Sequence, residues 1–164
     1  MSSEDTLITS RDGRVARILL NRPRALNALN LDMIRAMTKA LNEWRDDPHV
    51  HAVVIEGAGD RAFCAGGDVI NLRDGQLSGD RTEVEQFFGE EYALNLMIAT
   101  YPKPYIALID GICMGGGIGV SVYGPYRVAT EHASFGMPET AIGFFPDIGG
   151  TYFMPRMPGE VGMY

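Results

Sequence analysis

Residues 111–150, GICMGGGIGVSVYGPYRVATEHASFGMPETAIGFFPDIGG, decide how the rest of the chain is read. An apolar run, Tyr105 to Ile109, leads into the cluster Gly115-Gly116-Gly117, and a helix-like apolar segment follows. Such a strand-to-helix turn, with no side chains on its glycines, lets a bound group approach the backbone and aims free N–H groups at it. Glu139 and Asp147 then stand alone in otherwise uncharged sequence. Glu139 follows Pro138, in the first turn of a short helix where the dipole favours a carboxylate. Asp147 follows Pro146 in a turn-forming position.

Working outward, a second glycine turn, Ala65-Gly66-Gly67-Asp68, also sits between a strand and a helix-like segment. Its strand, His51 to Glu56, is a nearly continuous apolar run of the kind found in sheets covered on both faces. Upstream, Leu7–Thr9 and Val15–Leu20 flank Arg11-Asp12-Gly13 and predict a β-hairpin. Asn30 is placed to cap a helix whose apolar face recurs at Ile34, Met37, Leu41 and Trp44. A second helix spans Thr82 to Ala99, with a face at Val84, Phe87, Leu94 and Ile98; Glu91 is the one misfit on it, while Glu90 falls on a more polar side. Pro102 and Pro104 end that helix. Strand, strand and helix repeat with short connections and no linker, so the prediction is one α/β domain over 1–164.

Composition narrows the function. The 164 residues are 46% hydrophobic and 21% charged, with no apolar run near the ~20 residues of a membrane span. That length buries roughly 70% of the unfolded surface. A net charge of −7 argues against nucleic acid as a partner, although Arg22, Arg24 and Lys103 suggest a local site for one anion. Cys64 and Cys113 are too few for a disulfide framework, and His49, His51 and His132 have no metal-ligand spacing, so free thiols and no metal are expected. The N-terminus lacks the pattern of a signal or transit segment, which predicts the cytoplasm, and the ending RMPGEVGMY reads as a chain stopping where a helix begins.

The glycine turns fit neither nucleotide motif. In the G-x-G-x-x-G register the sixth positions are Val120 and Val122, and no G-K-S/T follows. G-x-S-x-G is absent too, which excludes the nucleophile elbow. Two readings of the turns remain: they merely permit tight packing, or they serve acyl chemistry, where a carbonyl oxygen gaining charge needs two converging donors. Glu91, Glu139 and Asp147 acquire a role there if they converge on the turns, one as base or nucleophile and another held as an acid.

RPRALNALN, RAFCAGGDV, KPYIALIDGICMGGGIGVSV and ASFGMPETAIGFFPDIGG, in that order, resemble the crotonase (enoyl-CoA hydratase/isomerase) superfamily over about residues 7–150. FFGEEYALN, MGGGIGVS and PETAIGFFPDIGGTYF are most similar to its 3-hydroxyisobutyryl-CoA hydrolase subgroup. The resemblance implies a crotonase-like spiral of repeated β-β-α units, lacking its C-terminal helical part here, that binds an acyl-CoA. It implies amide donors at Gly67 and Gly116, and substrate contacts at Arg24, Ala25, Leu26, Ala65, Gly66, Asp68 and Val69. The first hydratase glutamate matches Gly119, which cannot do acid/base work, whereas the hydrolase acids match Glu139 and Asp147, with Glu91 on the substrate. The implied reaction is hydrolysis of a short β-hydroxyacyl-CoA, with coenzyme A as part of the substrate rather than a cofactor. The alternatives are a hydratase or isomerase, or a non-catalytic fragment. Implied partners are a second copy of the chain or a companion C-terminal fragment.

Overall fold

Parallel pairing organises the chain. The computed structural model describes residues 5–79 and 81–159. Strands β1 (Leu7–Asp12) and β2 (Val15–Leu20) form the expected antiparallel hairpin. The turn is one residue later than predicted, because Asp12 still pairs with Val15 and the bend is made at Gly13, whose φ of +56° favours glycine. Helix α1 (Leu31–Arg45) follows, capped as expected by the Asn30 side chain accepting from the Met33 N–H at 2.9 Å. Its buried face carries Met33, Ile34, Met37 and Leu41.

From there the chain repeats one step: a strand in a first sheet, a short strand in a second, then helix. β3 (Ala52–Gly57) and β4 (Ala62–Cys64) precede α2 (Val69–Ser78) and α3 (Thr82–Ala99). β5 (Tyr105–Ile109) and β6 (Ile112–Met114) precede α4 (Gly116–Val122). β7 (Tyr126–Ala129) and β8 (Ser134–Gly136) precede a single 3₁₀ turn, Glu139–Ile142, and α5 (Gly150–Phe153). The first sheet runs β1-β2-β3-β5-β7 and the second β4-β6-β8, parallel throughout except for the hairpin. Each repeat therefore advances one strand in both sheets, as a spiral of β-β-α units requires. An apolar cluster from Ala16 to Ile148 fills the interior, and Tyr105, buried within it, donates its hydroxyl to the Val120 carbonyl at 3.0 Å.

Two charged groupings differ from expectation. Lys103 sits two residues before β5 and donates to the carbonyls of Trp44, in the last turn of α1, and of Asp47 just beyond it, where a cation suits the C-terminal end of the helix. Arg22 lies just beyond the far end of β2 and pairs with Asp68 at 2.8 Å. Arg22, Arg24 and Lys103 thus form no common anion site, because parallel strands put their ends on opposite edges. Cys64 and Cys113 are buried free thiols. Among the described residues no helix is long and apolar enough to cross a membrane, and no cluster of His, Cys, Asp and Glu could hold a metal ion. The helix start expected at the end of the chain falls on 160–164, outside the described residues.

One buried side chain ties the connection after β2 to the sheet crossing. Asn27 has a φ of +56°, a conformation that asparagine tolerates better than most residues. Its Nδ2 donates to the carbonyls of Ala58 (2.9 Å) and Ala62 (2.8 Å), and its Oδ1 accepts from the Arg22 amide at 2.9 Å. Asn27→Ala orphans all three partners and is expected to cost roughly 2–4 kcal/mol by urea denaturation. A loss below about 1 kcal/mol would show that the connection is held by other contacts.

Candidate active site

The two glycine turns meet. Leu29 donates to the Gly66 carbonyl and accepts from the Asp68 N–H, both at 2.8 Å, so the intervening Gly67 N–H points the other way. Gly115, with φ 47° and ψ −120°, turns β6 into α4 and leaves Gly116 as the first residue of that helix. Among the described residues neither the Gly67 nor the Gly116 N–H has an acceptor. A Cβ on Gly116 would come within 3.4 Å of the Gly67 nitrogen, so both donors face one space.

That space is a cavity of about 500 Å³. Ala65, Gly66, Gly67 and Val69 line it from one turn, Gly115 and Gly116 from the other, and Glu91, Glu139 and Asp147 bring their carboxyls to it. Phe87 and Phe88 of α3 and Phe144 supply an apolar wall, with the Phe88 and Phe144 rings stacked at 5.4 Å. The three acids named from the sequence converge because α3 packs over the start of α4 while the segment after β8 folds back across both.

Each carboxyl is held differently. Glu91 is 2% exposed, and its Oε1 has no partner although a Cβ on Gly116 would lie only 2.5 Å away. Burial first, then the charges of Asp147 and Glu139, push its pKa from the ordinary 4.5 up to about 8. At neutral pH it is mainly a neutral acid, able to donate a hydrogen bond. Glu139 begins the 3₁₀ turn and is 7% exposed. Its Oε1 lies 2.8 Å from where a Gly115 Cβ would stand, and its Oε2 is unpartnered. Burial raises its pKa, a hydrogen bond from its own amide opposes that, and Asp147 adds to the rise. Asp147 accepts from the Tyr92 hydroxyl at 2.9 Å. Its pKa is raised by burial and held back by the Tyr92 donation.

Strain helps to place Asp147. The next residue, Ile148, is buried with a φ of +46°, a conformation that costs a β-branched residue of order 1–3 kcal/mol. Tyr123 holds it by donating to the Ile148 carbonyl at 2.6 Å.

The other residues named from the sequence lie outside the cavity wall. Arg24 and Ala25 are exposed in a short 3₁₀ turn, and Leu26 is half-buried, its carbonyl accepting from the Ala65 N–H at 3.0 Å. Asp68 turns from the cavity to its pairing with Arg22. The sequence reading missed Tyr92, Phe88, Phe144 and Arg73, all at or beside the site, and Asn95, buried one turn beyond Glu91. Asn95 had a legible signal: it is polar and four residues from Glu91, on the same helical face.

The chain is similar to known proteins over nearly its whole length. A family model described as enoyl-CoA hydratase/isomerase matches residues 15–164. The chain is 55% identical over 157 residues to a Xenopus tropicalis protein named 3-hydroxyisobutyryl-CoA hydrolase, mitochondrial, covering 96% of this chain and 40% of that relative. It is 48% identical to a Neurospora crassa protein named small ribosomal subunit protein mS47, covering 98% of this chain and 32% of that one. A crystal structure of a carnitinyl-CoA dehydratase from Mycobacterium thermoresistibile superposes with a TM-score of 0.93 at 43% identity, covering 98% of this chain and 47% of the other. The chain thus spans less than half the length of each of these relatives.

The raised pKa of Glu91 has a consequence for stability. A carboxyl whose folded pKa of about 8 exceeds its ordinary 4.5 favours the fold fully below 4.5, and that contribution is lost as pH rises through 8. Glu139 and Asp147, also shifted upward, act with the same sign. The Tm should therefore fall between pH 5 and 9, and Glu91→Gln should flatten the fall. A Glu91→Gln profile parallel to that of the unsubstituted protein would assign the dependence to other groups.

Proposed function

The chain belongs to the enoyl-CoA hydratase/isomerase family, and from that premise we propose that it hydrolyses a short β-hydroxyacyl-CoA thioester, 3-hydroxyisobutyryl-CoA, to 3-hydroxyisobutyrate and free coenzyme A. The observation that carries this reading is the distribution of acids around the unpaired amides. Position 119, on α4, is a glycine packed against Asn95 and Ile148, so no carboxylate enters from that helix. Glu139 and Asp147 line the cavity instead, from the segment that follows β8. Addition of water by a pair of glutamates flanking the substrate lacks one of its partners in this arrangement.

The residues divide the work as follows. The thioester oxygen accepts from the Gly67 and Gly116 amides, which are already oriented and need no reorganisation as the oxygen gains charge. Glu139 either takes a proton from an attacking water or attacks the carbonyl carbon itself. On both routes the carbon–sulfur bond breaks, oxygen ultimately from water completes the acid, and the thiolate leaves with a proton. Asp147, steadied by Tyr92, manages that proton and orients the acyl group. Neutral Glu91 donates to the hydroxyl on the acyl chain. The aromatic wall lowers the polarity beside the carbonyl, which strengthens each of these contacts.

A second reading, an assembly module without catalysis, is favoured by the 48% identity to a relative named as a ribosomal subunit protein. Activity separates the two. The purified protein should release free coenzyme A from 3-hydroxyisobutyryl-CoA, read with a thiol reagent, while leaving crotonyl-CoA unhydrated. Hydration of crotonyl-CoA without release of coenzyme A would sink the hydrolase reading, and inertness towards both would favour the assembly module. Glu139→Gln should lower kcat by about 10²–10⁴ with KM changed only a few-fold. An unchanged kcat would remove Glu139 from the chemistry.

A further inference from the structure

Asp147 is gripped by several donors. Tyr92 donates its hydroxyl to Asp147 Oδ2 at 2.9 Å, and the amides of Asp147 and Ile148 donate to the same carboxylate. Tyr92 is not part of the cavity wall. Burial first, then the bond to Asp147 and that carboxylate's charge, push the Tyr92 phenol above its ordinary pKa of 10.0, so it keeps its proton and remains a donor.

A second contact lies beside that bond. Phe88 and Tyr92 are four apart on α3 and share one helical face, with their ring centroids 6.0 Å apart. Phe144 and Asp147 are three apart on the segment that follows the 3₁₀ turn, and Phe144 stacks on Phe88 with ring centroids 5.4 Å apart and planes inclined by 19°. Two neighbouring side chains of α3 thus meet two of the returning segment. Backbone pairing does not attach that segment to α3. Among the described residues the main chain of 144–148 bonds only to Glu139, through the Phe144 N–H, and to Gly150, whose N–H donates to the Asp147 carbonyl. The far end is anchored separately, by the buried Ile148 and the bond from Tyr123 to its carbonyl.

We propose that Tyr92 is a positioning residue acting through Asp147, and that with Phe88 it forms a two-rung clasp seating residues 144–147 on α3. The rungs do different things. An aromatic stack holds two surfaces together but tolerates sliding, whereas a hydrogen bond to a carboxylate is directional, so the stack brings the segment to the helix and the bond aims the acid. The clasp also bears on charge. A donor to a carboxylate favours its ionised form. The titratable groups facing Asp147 are Tyr92 and Glu91 from α3 and Glu139 from the 3₁₀ turn; Arg73 of α2 lines the same cavity, and Tyr123, at the end of α4, is turned to the Ile148 carbonyl. The Asp147 charge adds to the rise of both Glu91 and Glu139, so by keeping Asp147 ionised the clasp helps to keep Glu91 protonated.

The catalytic side of the proposal rests on the reading of Asp147 as a reacting acid, and the test separates the two. The Asp147 carboxyl is titrated by carbon-13 NMR in aspartate-labelled protein, its resonance identified by its loss in Asp147→Asn. Tyr92→Phe removes one oxygen and keeps the ring, so the titration midpoint should rise as the donor favouring the ionised form is lost. Phe88→Leu keeps an apolar side chain but no ring to stack, and should raise the midpoint as well. The double variant should match Tyr92→Phe alone, because both changes break the same clasp. A midpoint unchanged in Tyr92→Phe overturns the positioning role, and an unchanged midpoint in Phe88→Leu or additive shifts in the double variant overturn the clasp. Kinetics on 3-hydroxyisobutyryl-CoA provide the second readout. Tyr92→Phe should lower kcat about tenfold with KM within about twofold, and should move the limb of the kcat profile set by Asp147 to higher pH. In the Asp147→Asn background it should have no further effect; an added loss there overturns action through Asp147. Cleavage by none of these proteins overturns the hydrolase reading alone, because the Asp147 titration decides the clasp without turnover.

Discussion

The close approach of the first turn of α4 to its neighbours is the constraint on which the rest of the structure depends. A Cβ at residue 117 would stand 2.3 Å from the Cys64 carbonyl oxygen, so the helix can lie against β4 only without a side chain there. At 115 and 116 the same atom would collide with Glu139 and Glu91. The glycines thus do two things at once. They seat the helix on the second sheet, and they let carboxyl oxygens reach the edge of the Gly116 amide. Any side chain would separate the donors from the acids by its own thickness.

Three carboxyls in an apolar cavity would repel one another if all were ionised, and the fold distributes that cost unevenly. Asp147 has a phenol to donate to it, Glu139 has its own amide, and Glu91 has neither. Glu91 therefore holds its proton most tightly, and the site presents it at neutral pH as a hydrogen-bond donor. The strained Ile148 and the Tyr123 hydroxyl that clamps it belong to the same arrangement, because they hold the backbone next to Asp147.

The elements were legible where local rules govern them. Asn30 as a cap, the face of α1, the apolar run of β3 and the placement of Glu139 after Pro138 all follow from periodicity and capping, which act within a few residues. The hairpin turn moved by one residue because the pairing of Asp12 with Val15 overrode the local Asp-Gly signal. Partners across long stretches of chain were not legible. Arg22 and Asp68 form one pair, and Asn27 reaches Ala58 and Ala62, only because the connection after β2 is drawn across the end of the second sheet.

By itself, then, the sequence determined an α/β repeat, two glycine turns after strands, and three acids out of place in apolar or uncharged surroundings. It also determined that position 119 could bear no carboxylate. Only the tertiary structure decided that these features share one cavity, that Arg24 and Asp68 stand outside its wall, and that Asn95 packs against Gly119. The physical reason is distance along the chain. Backbone conformation and helical period are set by neighbours a few residues away, whereas residues 91, 116, 139 and 147 meet through the packing of α3 on α4 and the return of the chain after β8.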